Sequence, residues 1–518
     1  MKMDDLMIEI KNLNFSYSNE KLYNNLNFRI LNNEHVVLVG PNGTGKSTLL
    51  KLIAKELIPD SGSVIYEKEL KVGYLDQYMK IDNKMLVKTY LYDVYEKLFD
   101  QENLMNKMYH DISNPNISEN EMERLLNIAS NIQEQLIESN FYQIKSEISN
   151  IIHGFGLSMD VLEQEIKTLS SGMKSKIILA KLLLEENDLI LLDEPTNFLD
   201  ISHVIFLSKF LNNYEKAFIV VSHNVEFVRE IANVIISIEG KTAERYKGNY
   251  DFYLVEKEVR ANLLDKKYEA QQKLIKTTKD FIDKNITRAS TTKRAQSRRK
   301  MLNKIERIEK RIIDRTYNFS FPIKLQTGKD VLKVVDLEIG YNNNSLLEPL
   351  NLIIRNKDKV VITGKNGIGK STLIKTIIES IPKISGDFYW DKNVKINYLG
   401  QDEFYLVNDT PFNYVSNYYE SFTNKEIYAL LARYGITFEM ANRPINTLSG
   451  GEQMKIKLAL MKDNYGNVLI LDEPTNHLDI NAKDALKEAL NNYEGTLILV
   501  SHEASFYEEI CDYEISLS

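Results

Sequence analysis

Two octapeptides in this 518-residue chain have the residue types and spacing to hold phosphate. They are Gly40-Pro-Asn-Gly-Thr-Gly-Lys-Ser47 and Gly364-Lys-Asn-Gly-Ile-Gly-Lys-Ser371. Gly40, Gly43 and Gly45 in the first, and Gly364, Gly367 and Gly369 in the second, let the backbone around Asn42 and Asn366 wrap its N–H groups about anionic oxygens. Lys46 and Lys370 then reach β- and γ-phosphate oxygens, and Ser47 and Ser371 ligate Mg2+. A helix opening at Thr48 or Thr372 aims the positive end of its dipole at the same charge.

Further motifs follow each loop in one fixed order. Leu189-Ile-Leu-Leu-Asp-Glu194 and Leu469-Ile-Leu-Asp-Glu473 read as buried strands that end in two carboxylates. Asp193 and Asp472 are placed to orient Mg2+ through water, and Glu194 and Glu473 to polarise an attacking water. Ile219-Val-Val-Ser-His223 and Leu497-Ile-Leu-Val-Ser-His502 set His223 and His502 at strand ends, where they would touch a γ-phosphate. Gln77 and Gln401, each after a Tyr-Leu pair, are further metal candidates, and Tyr17 and Tyr341 are candidates to stack on adenine. Leu169-Ser-Ser-Gly-Met173 and Leu448-Ser-Gly-Gly-Glu452 each open a helix, with Ser170 and Gly172 in one and Ser449, Gly450 and Gly451 in the other. A lone Ser-His or a lone tyrosine would read as packing. Five elements in one order, twice, leave that reading no room.

The repetition has a testable arithmetic. Tyr17 and Tyr341, Lys46 and Lys370, and Gln77 and Gln401 are each 324 residues apart. Ser170 and Ser449, Glu194 and Glu473, and His223 and His502 are each 279 apart. Two constant offsets mean two homologous domains, with 45 extra residues between Gln77 and Ser170 in the first.

The elements that must position these residues are legible around them. A buried strand, His35–Val39, feeds the first loop, and Val360–Thr363 feeds the second. Short strands are expected at Met7–Ile10 and Leu26–Ile30, with Phe15-Ser-Tyr17 between them. The extra material is placed near residues 98–141 and reads as two helices about a turn at Ser113–Ser118. From Leu98 to Asn140 it carries 8 acidic and 2 basic residues, so a basic protein suits it better as a contact than RNA does. The expected fold class is α/β: two phosphate-loop domains, at 1–247 and 328–518, joined across 248–327 by a long α-helical hairpin.

From Tyr250 to Arg315 that joining segment has no proline, and it is rich in helix formers from Asp251 to Lys284 and again from Lys293 to Arg315. Between Glu256 and Arg315 stand 19 Lys or Arg against 9 Asp or Glu, whereas the whole chain has a net charge of −8. A basic rod on an acidic body is an electrostatic footprint for a polyanion, nucleic acid foremost, although a solvated helical spacer is also charged. Arg288, Lys293, Arg294, Arg298, Arg299 and Lys300, clustered about the expected turn, are the candidate phosphate contacts. Cys511 is the only cysteine, which excludes internal disulfides and cysteine-built metal sites and suits a reducing cytosol. No secretory h-region opens the chain and no stretch approaches 18 uninterrupted apolar residues.

With these motifs assembled, the chain resembles an ATP-binding cassette protein, because Leu-Ser-Gly-Gly between the phosphate loop and the Asp-Glu strand marks that superfamily. Tandem cassettes joined by a basic helical hairpin resemble the ABC-F family in particular. Lys247-Gly-Asn-Tyr250 before the hairpin and Glu-Pro-Thr-Asn from Glu194 and from Glu473 strengthen the likeness, which covers essentially the whole chain. The resemblance implies a cytoplasmic ATPase that uses ATP and Mg2+ and binds the ribosomal E site of the 70S ribosome. It implies rRNA and P-site tRNA as contacts of the linker near the peptidyl-transferase centre, and the L1 stalk protein as the contact of the insert. It implies a monomer whose cassettes close head to tail, each loop against the other domain's Leu-Ser-Gly-Gly helix. Ser171 and Met173 depart from that signature, so the site using Lys370 is expected to be the slower. The sequence ends directly after the second cassette, and contacts made by the C-terminal extension of some members are not expected. Two roles stay open: an ATP-gated translation factor, favoured by the insert and a short hairpin tip, and ribosome protection against drugs at the peptidyl-transferase centre. The ATPase subunit of a transporter is the alternative from another class. DNA-repair members need zinc cysteines or longer coiled coils, and neither is here.

Overall fold

The computed structural model describes residues 6–17, 20–75, 84–113, 117–197, 199–285, 292–305, 307, 317–341, 344–365, 367–400, 408–419, 421–462, 464–476 and 478–517. The chain is α/β, with two cassettes in tandem and a helical hairpin between them. Each cassette is built on a mostly parallel sheet. In the first the order is Val72–Leu75, Leu189–Asp193, Ala217–Val221, His35–Val39, Val234–Glu239, with Thr242–Lys247 antiparallel at the edge. In the second it is Ile396–Leu399, Val468–Asp472, Thr496–Val500, Lys359–Thr363, Tyr513–Ser516. The central strands are runs of Val, Ile and Leu buried at every position, because helices or a second sheet cover both faces. In both, the loop-feeding strand neighbours the histidine strand, which in turn neighbours the Asp-Glu strand. Since parallel strands end at one edge, the motifs converge there.

A three-stranded antiparallel sheet packs over each cassette, Glu20–Leu31, Leu6–Tyr17 and Ser61–Tyr66 in the first. Its strands run longer than the expected Met7–Ile10 and Leu26–Ile30. Register shifts between Ile10 and Leu13, with Asn12 at φ 47°, carry the pairing on through Phe15, so Tyr17 lies at a strand end rather than in a connection. The helices after the phosphate loops start at Lys46 and Lys370, two residues earlier than Thr48 and Thr372.

The insert forms two antiparallel helices, Glu96–Ile112 and Glu119–Glu138. Ser118 caps the second by accepting from the Glu121 N–H. Met105, Ala129, Ile132, Leu136 and Phe141 join the core of the first cassette, so the root of the insert is continuous with it.

The hairpin consists of Tyr250–Asn285 and Thr292–Lys304. The first helix, 36 residues, is about 54 Å long at 1.5 Å per residue. Tyr250 and Tyr253 bury its start in the first cassette, and Lys257 pairs with Glu239 there. Ile275, Thr278 and Ile282, spaced to fall on one face, are buried near Ala295 of the returning helix. The second helix ends at Lys304 among the described residues, short of the expected Arg315; 306 and 308–316 lie outside them. Beyond them, Phe319 and Phe321 sink into the core of the second cassette.

Candidate active site

Both phosphate loops close over their own lysine. Lys46 Nζ donates to the carbonyls of Gly40 (2.8 Å) and Pro41 (3.1 Å), and Lys370 Nζ to those of Gly364 (2.7 Å) and Lys365 (3.1 Å). Gly43 and Gly45 have φ of 80° and 93°, and Gly367 and Gly369 of 79° and 118°. A side chain is disfavoured there, and glycine lets successive N–H groups turn inward. Both lysines are buried, which presses their ammonium groups below the ordinary range. Glu194, Asp479 and Asp193 oppose this at Lys46, and Glu473, Asp200 and Asp472 at Lys370. At each lysine one of these aspartates, Asp479 or Asp200, belongs to the opposite cassette.

Glu194 and Glu473 stand just past their strands in left-handed conformations, φ 49° and 51°. Such backbone costs roughly 1–3 kcal/mol and persists where surroundings enforce it. Here the Glu194 N–H donates to the Val221 carbonyl (2.8 Å) and that of Glu473 to Val500 (3.0 Å), which turns each carboxyl toward its loop. The histidines meet these carboxyls: His223 Nε2 lies 3.4 Å from Glu194 Oε1, and His502 Nε2 lies 3.2 Å from Glu473 Oε1. Burial pushes the Glu194 carboxyl up to about 7, with Lys46 pulling down and Asp193 pushing up. Burial and then Asp472 push Glu473 up to about 8. Burial and then Lys370 bring His502 down to about 4. Asp193 and Asp472 are buried beside them.

Ser170 and Ser449 cap their helices, accepting from the Met173 N–H (3.3 Å) and the Glu452 N–H (3.4 Å). Only at Ser449 does the third residue answer, Glu452 Oε2 accepting from the Ser449 N–H at 2.9 Å. Met173 cannot do so. A Cβ built on Gly43 would lie 3.7 Å from Glu452 Oε1, so the first phosphate loop abuts the second cassette's Leu-Ser-Gly-Gly helix. One cavity of about 2940 Å3 takes in both loops, both signature helices, both glutamates and both histidines. Tyr17 and Tyr341 line it, 51% and 53% exposed, with faces still available for stacking. The Tyr341 hydroxyl is 3.4 Å from Thr372 Oγ1.

The structure therefore brings together Tyr17, Asn42, Gly43, Gly45, Lys46, Ser47, Thr48, Asp193, Glu194 and His223 with Ser449, Gly450 and Gly451, and Tyr341, Gly367, Gly369, Lys370, Ser371, Thr372, Asp472, Glu473 and His502 with Ser171, whereas Ser170 and Gly172 do not line the cavity. Asn366, Gln77, Gln401 and Arg288 fall outside the described residues. Lys293, Arg294, Arg299 and Lys300 are exposed on the returning hairpin helix, far along the chain from either loop; Arg298 stacks its guanidinium 3.9 Å from the Phe281 ring. Sequence reading missed Lys483. Its Nζ donates to the His223 carbonyl of the other cassette (3.2 Å) and to Glu503 (2.6 Å). The 279-residue offset matches Lys483 with Val204, so the repeat carried no signal for it.

The donor set fits a nucleoside triphosphate with a hard cation. Each half offers a glycine cradle, a lysine, a serine hydroxyl and two carboxyls, buried in all but Glu194, which is partly buried; the hydroxyl and carboxyls are oxygen donors where a metal would sit.

A family described as ABC transporter matches residues 23–197 and 347–476, and a second of the same description matches 236–321. The chain is 38% identical over 504 residues to an uncharacterized ABC transporter ATP-binding protein, YfmM, of Bacillus subtilis, covering 97% of each. It is 30% identical to ABC transporter F family member 5 of Arabidopsis thaliana, over 98% of this chain and 75% of that one. The fold superposes with a TM-score of 0.56 and 19% identity on a chain in the complex of an archaeal ribosomal stalk protein with the archaeal ribosome recycling factor aABCE1, covering 98% of this chain and 87% of that one.

Proposed function

Because the chain belongs to the ABC-F family and is an ATPase with two ATP-binding cassettes, we propose that it is a ribosome-binding translation factor gated by ATP. The observation that carries this reading is the basic hairpin rooted in both cassettes, by Tyr250 and Tyr253 at one end and Phe319 and Phe321 at the other. A change in the angle between cassettes must then move the hairpin. Its net positive face suits phosphates of rRNA and of the P-site tRNA, approached from the E site. The acidic insert suits a basic protein such as that of the L1 stalk. Among the described residues no helix is long and apolar enough to cross a membrane.

In this reading each loop holds one ATP. Lys46 and Lys370 contact β/γ oxygens, Tyr17 and Tyr341 stack on adenine, and Ser449 or Ser170 of the opposite cassette approaches the γ-phosphate. Ser47 with Asp193, and Ser371 with Asp472, would hold Mg2+, which neutralises charge developing on the phosphates. Glu194 and Glu473 orient and polarise water, with His223 and His502 bridging to the γ-phosphate. Closure sets the hairpin angle and hydrolysis releases it. A role as translation factor is favoured over drug displacement by the insert helices Glu96–Ile112 and Glu119–Glu138 and by the short tip expected from the sequence.

Sucrose-gradient sedimentation with 70S ribosomes tests the reading. The Glu194→Gln/Glu473→Gln chain, unable to polarise water, is expected to travel with ribosomes in ATP and to stay at the top without it. If it stays at the top in both, the ribosome is not the target.

A further inference from the structure

A buried cluster, separate from the groups assigned to hydrolysis, joins the linker to one nucleotide site. Tyr317 lies past the linker helices, directly after residues 308–316. Its hydroxyl donates to Asp479 Oδ2 (3.0 Å), and Lys455 Nζ donates to the same carboxylate oxygen (2.8 Å) and to the tyrosine oxygen (2.9 Å). Asp479 and Lys455 are each 3% exposed. Burial alone would raise the Asp479 carboxyl; Lys455, the Ala482 N–H and Tyr317 together hold it below the ordinary range. Asp479 Oδ1 accepts from that N–H (2.9 Å), so this carboxylate also caps Ile480–Asn491, the helix bearing Lys483.

Tyr317 has little room to slide. Its ring stacks parallel on Phe319 at 5.9 Å, and Phe319 lies 5.2 Å from Tyr434. A Cβ on Gly435, where φ is 81°, would lie 2.3 Å from the Tyr317 ring. The helix that Asp479 caps in turn reaches across the cassette interface, where Lys483 Nζ donates to the carbonyl of His223 (3.2 Å), whose ring lies 3.4 Å from Glu194.

The other site is built differently. Asp200, Lys176 and His203 stand 279 residues before Asp479, Lys455 and Ala482. There His203 Nδ1 lies 3.3 Å from Asp200 Oδ2 and 3.2 Å from Lys176 Nζ, and the histidine belongs to the first cassette itself, not to the linker. We propose that Tyr317 is a positioning residue that orients Asp479 against the site of Lys46 and Glu194, and so ties the linker to that site alone. This rests on Glu194 and Glu473 being the water-polarising residues of their respective sites.

The test is steady-state ATP hydrolysis by the full chain in two backgrounds. Glu473→Gln leaves turnover to the Lys46 site, and Glu194→Gln leaves it to the Lys370 site. The parent variants are measured first. Turnover retained in each and lost in the double variant secures the two bases, so their failure shows before Tyr317 is touched. Tyr317→Phe keeps the ring and removes one hydrogen bond. It is expected to lower kcat about fivefold in the Glu473→Gln background with KM for ATP unchanged, and to leave the Glu194→Gln background alone. Tyr317→His, which keeps a ring N–H donor as His203 does, is expected to restore at least half of the lost turnover, a recovery that simple loosening of the fold would not produce. Equal loss in both backgrounds, loss in neither, or no recovery with histidine overturns the proposal.

Discussion

At the scale of the residue, the proposed chemistry turns on two glutamates held in strained backbone beside a lysine. Burial raises Glu194 to about 7 and Glu473 to about 8, against an ordinary 4.5. A general base must be ionised, so turnover is lost as pH falls. Since kcat/KM reports the free enzyme, it should climb from about pH 6 and level above about pH 8. The same shifts predict a stability effect of opposite slope. A carboxyl whose folded pKa is raised stabilises the fold below its unfolded pKa, and that contribution disappears as pH rises through the folded value. Nucleotide-free wild-type chain should therefore lose melting temperature between about pH 5 and pH 8 relative to the Glu194→Gln/Glu473→Gln chain. Melting curves that run parallel across that window would mean the carboxyls are not buried as described.

At the scale of the element, the hairpin divides its labour between faces. Ile275, Thr278, Ile282 and Ala295 form the seam, and Arg298 lies on Phe281. Lys293, Arg294, Arg299 and Lys300 are exposed, so replacing these four by alanine should leave the helices paired. Ribosome affinity should fall, and the slope of log affinity against log salt should flatten by on the order of three, about 0.7–0.9 for each phosphate no longer neutralised. An unchanged slope in filter binding across salt concentrations would remove these residues from the interface. Most of this architecture is legible in the sequence. Parallel strands buried on both faces announce themselves as apolar runs, and a motif set occurring twice checks its own register. Tyr17 and Lys46 are found that way. The strand ends are not, because the bulge at Asn12 interrupts the alternation that marks a strand. Nor are Lys483 and Tyr317. One is matched by Val204 and touches His223 only because of how the two cassettes meet; the other stands outside both repeats, and its partners Lys455 and Asp479 are far from it in sequence.

At the scale of the whole molecule, two sheets bring six strand-end motifs to facing edges, and one chain segment is anchored in both halves. The halves are similar but not equivalent. Glu452 completes a capping box against the first loop where Met173 cannot against the second, and Tyr317 reaches only one of the two interfacial aspartates. Both differences favour the site of Lys46 as the one that reports to the linker. The central claim is that ATP-closed cassettes aim the basic hairpin into the ribosome. Electron cryomicroscopy of 70S ribosomes mixed with the Glu194→Gln/Glu473→Gln chain and ATP tests it most directly. The account predicts density in the E site, with nucleotide at both loops and the hairpin of Tyr250–Asn285 and Thr292–Lys304 pointing toward the P-site tRNA. Bound chain whose hairpin faces solvent, or ribosomes with an empty E site under conditions that saturate both loops with ATP, would contradict it.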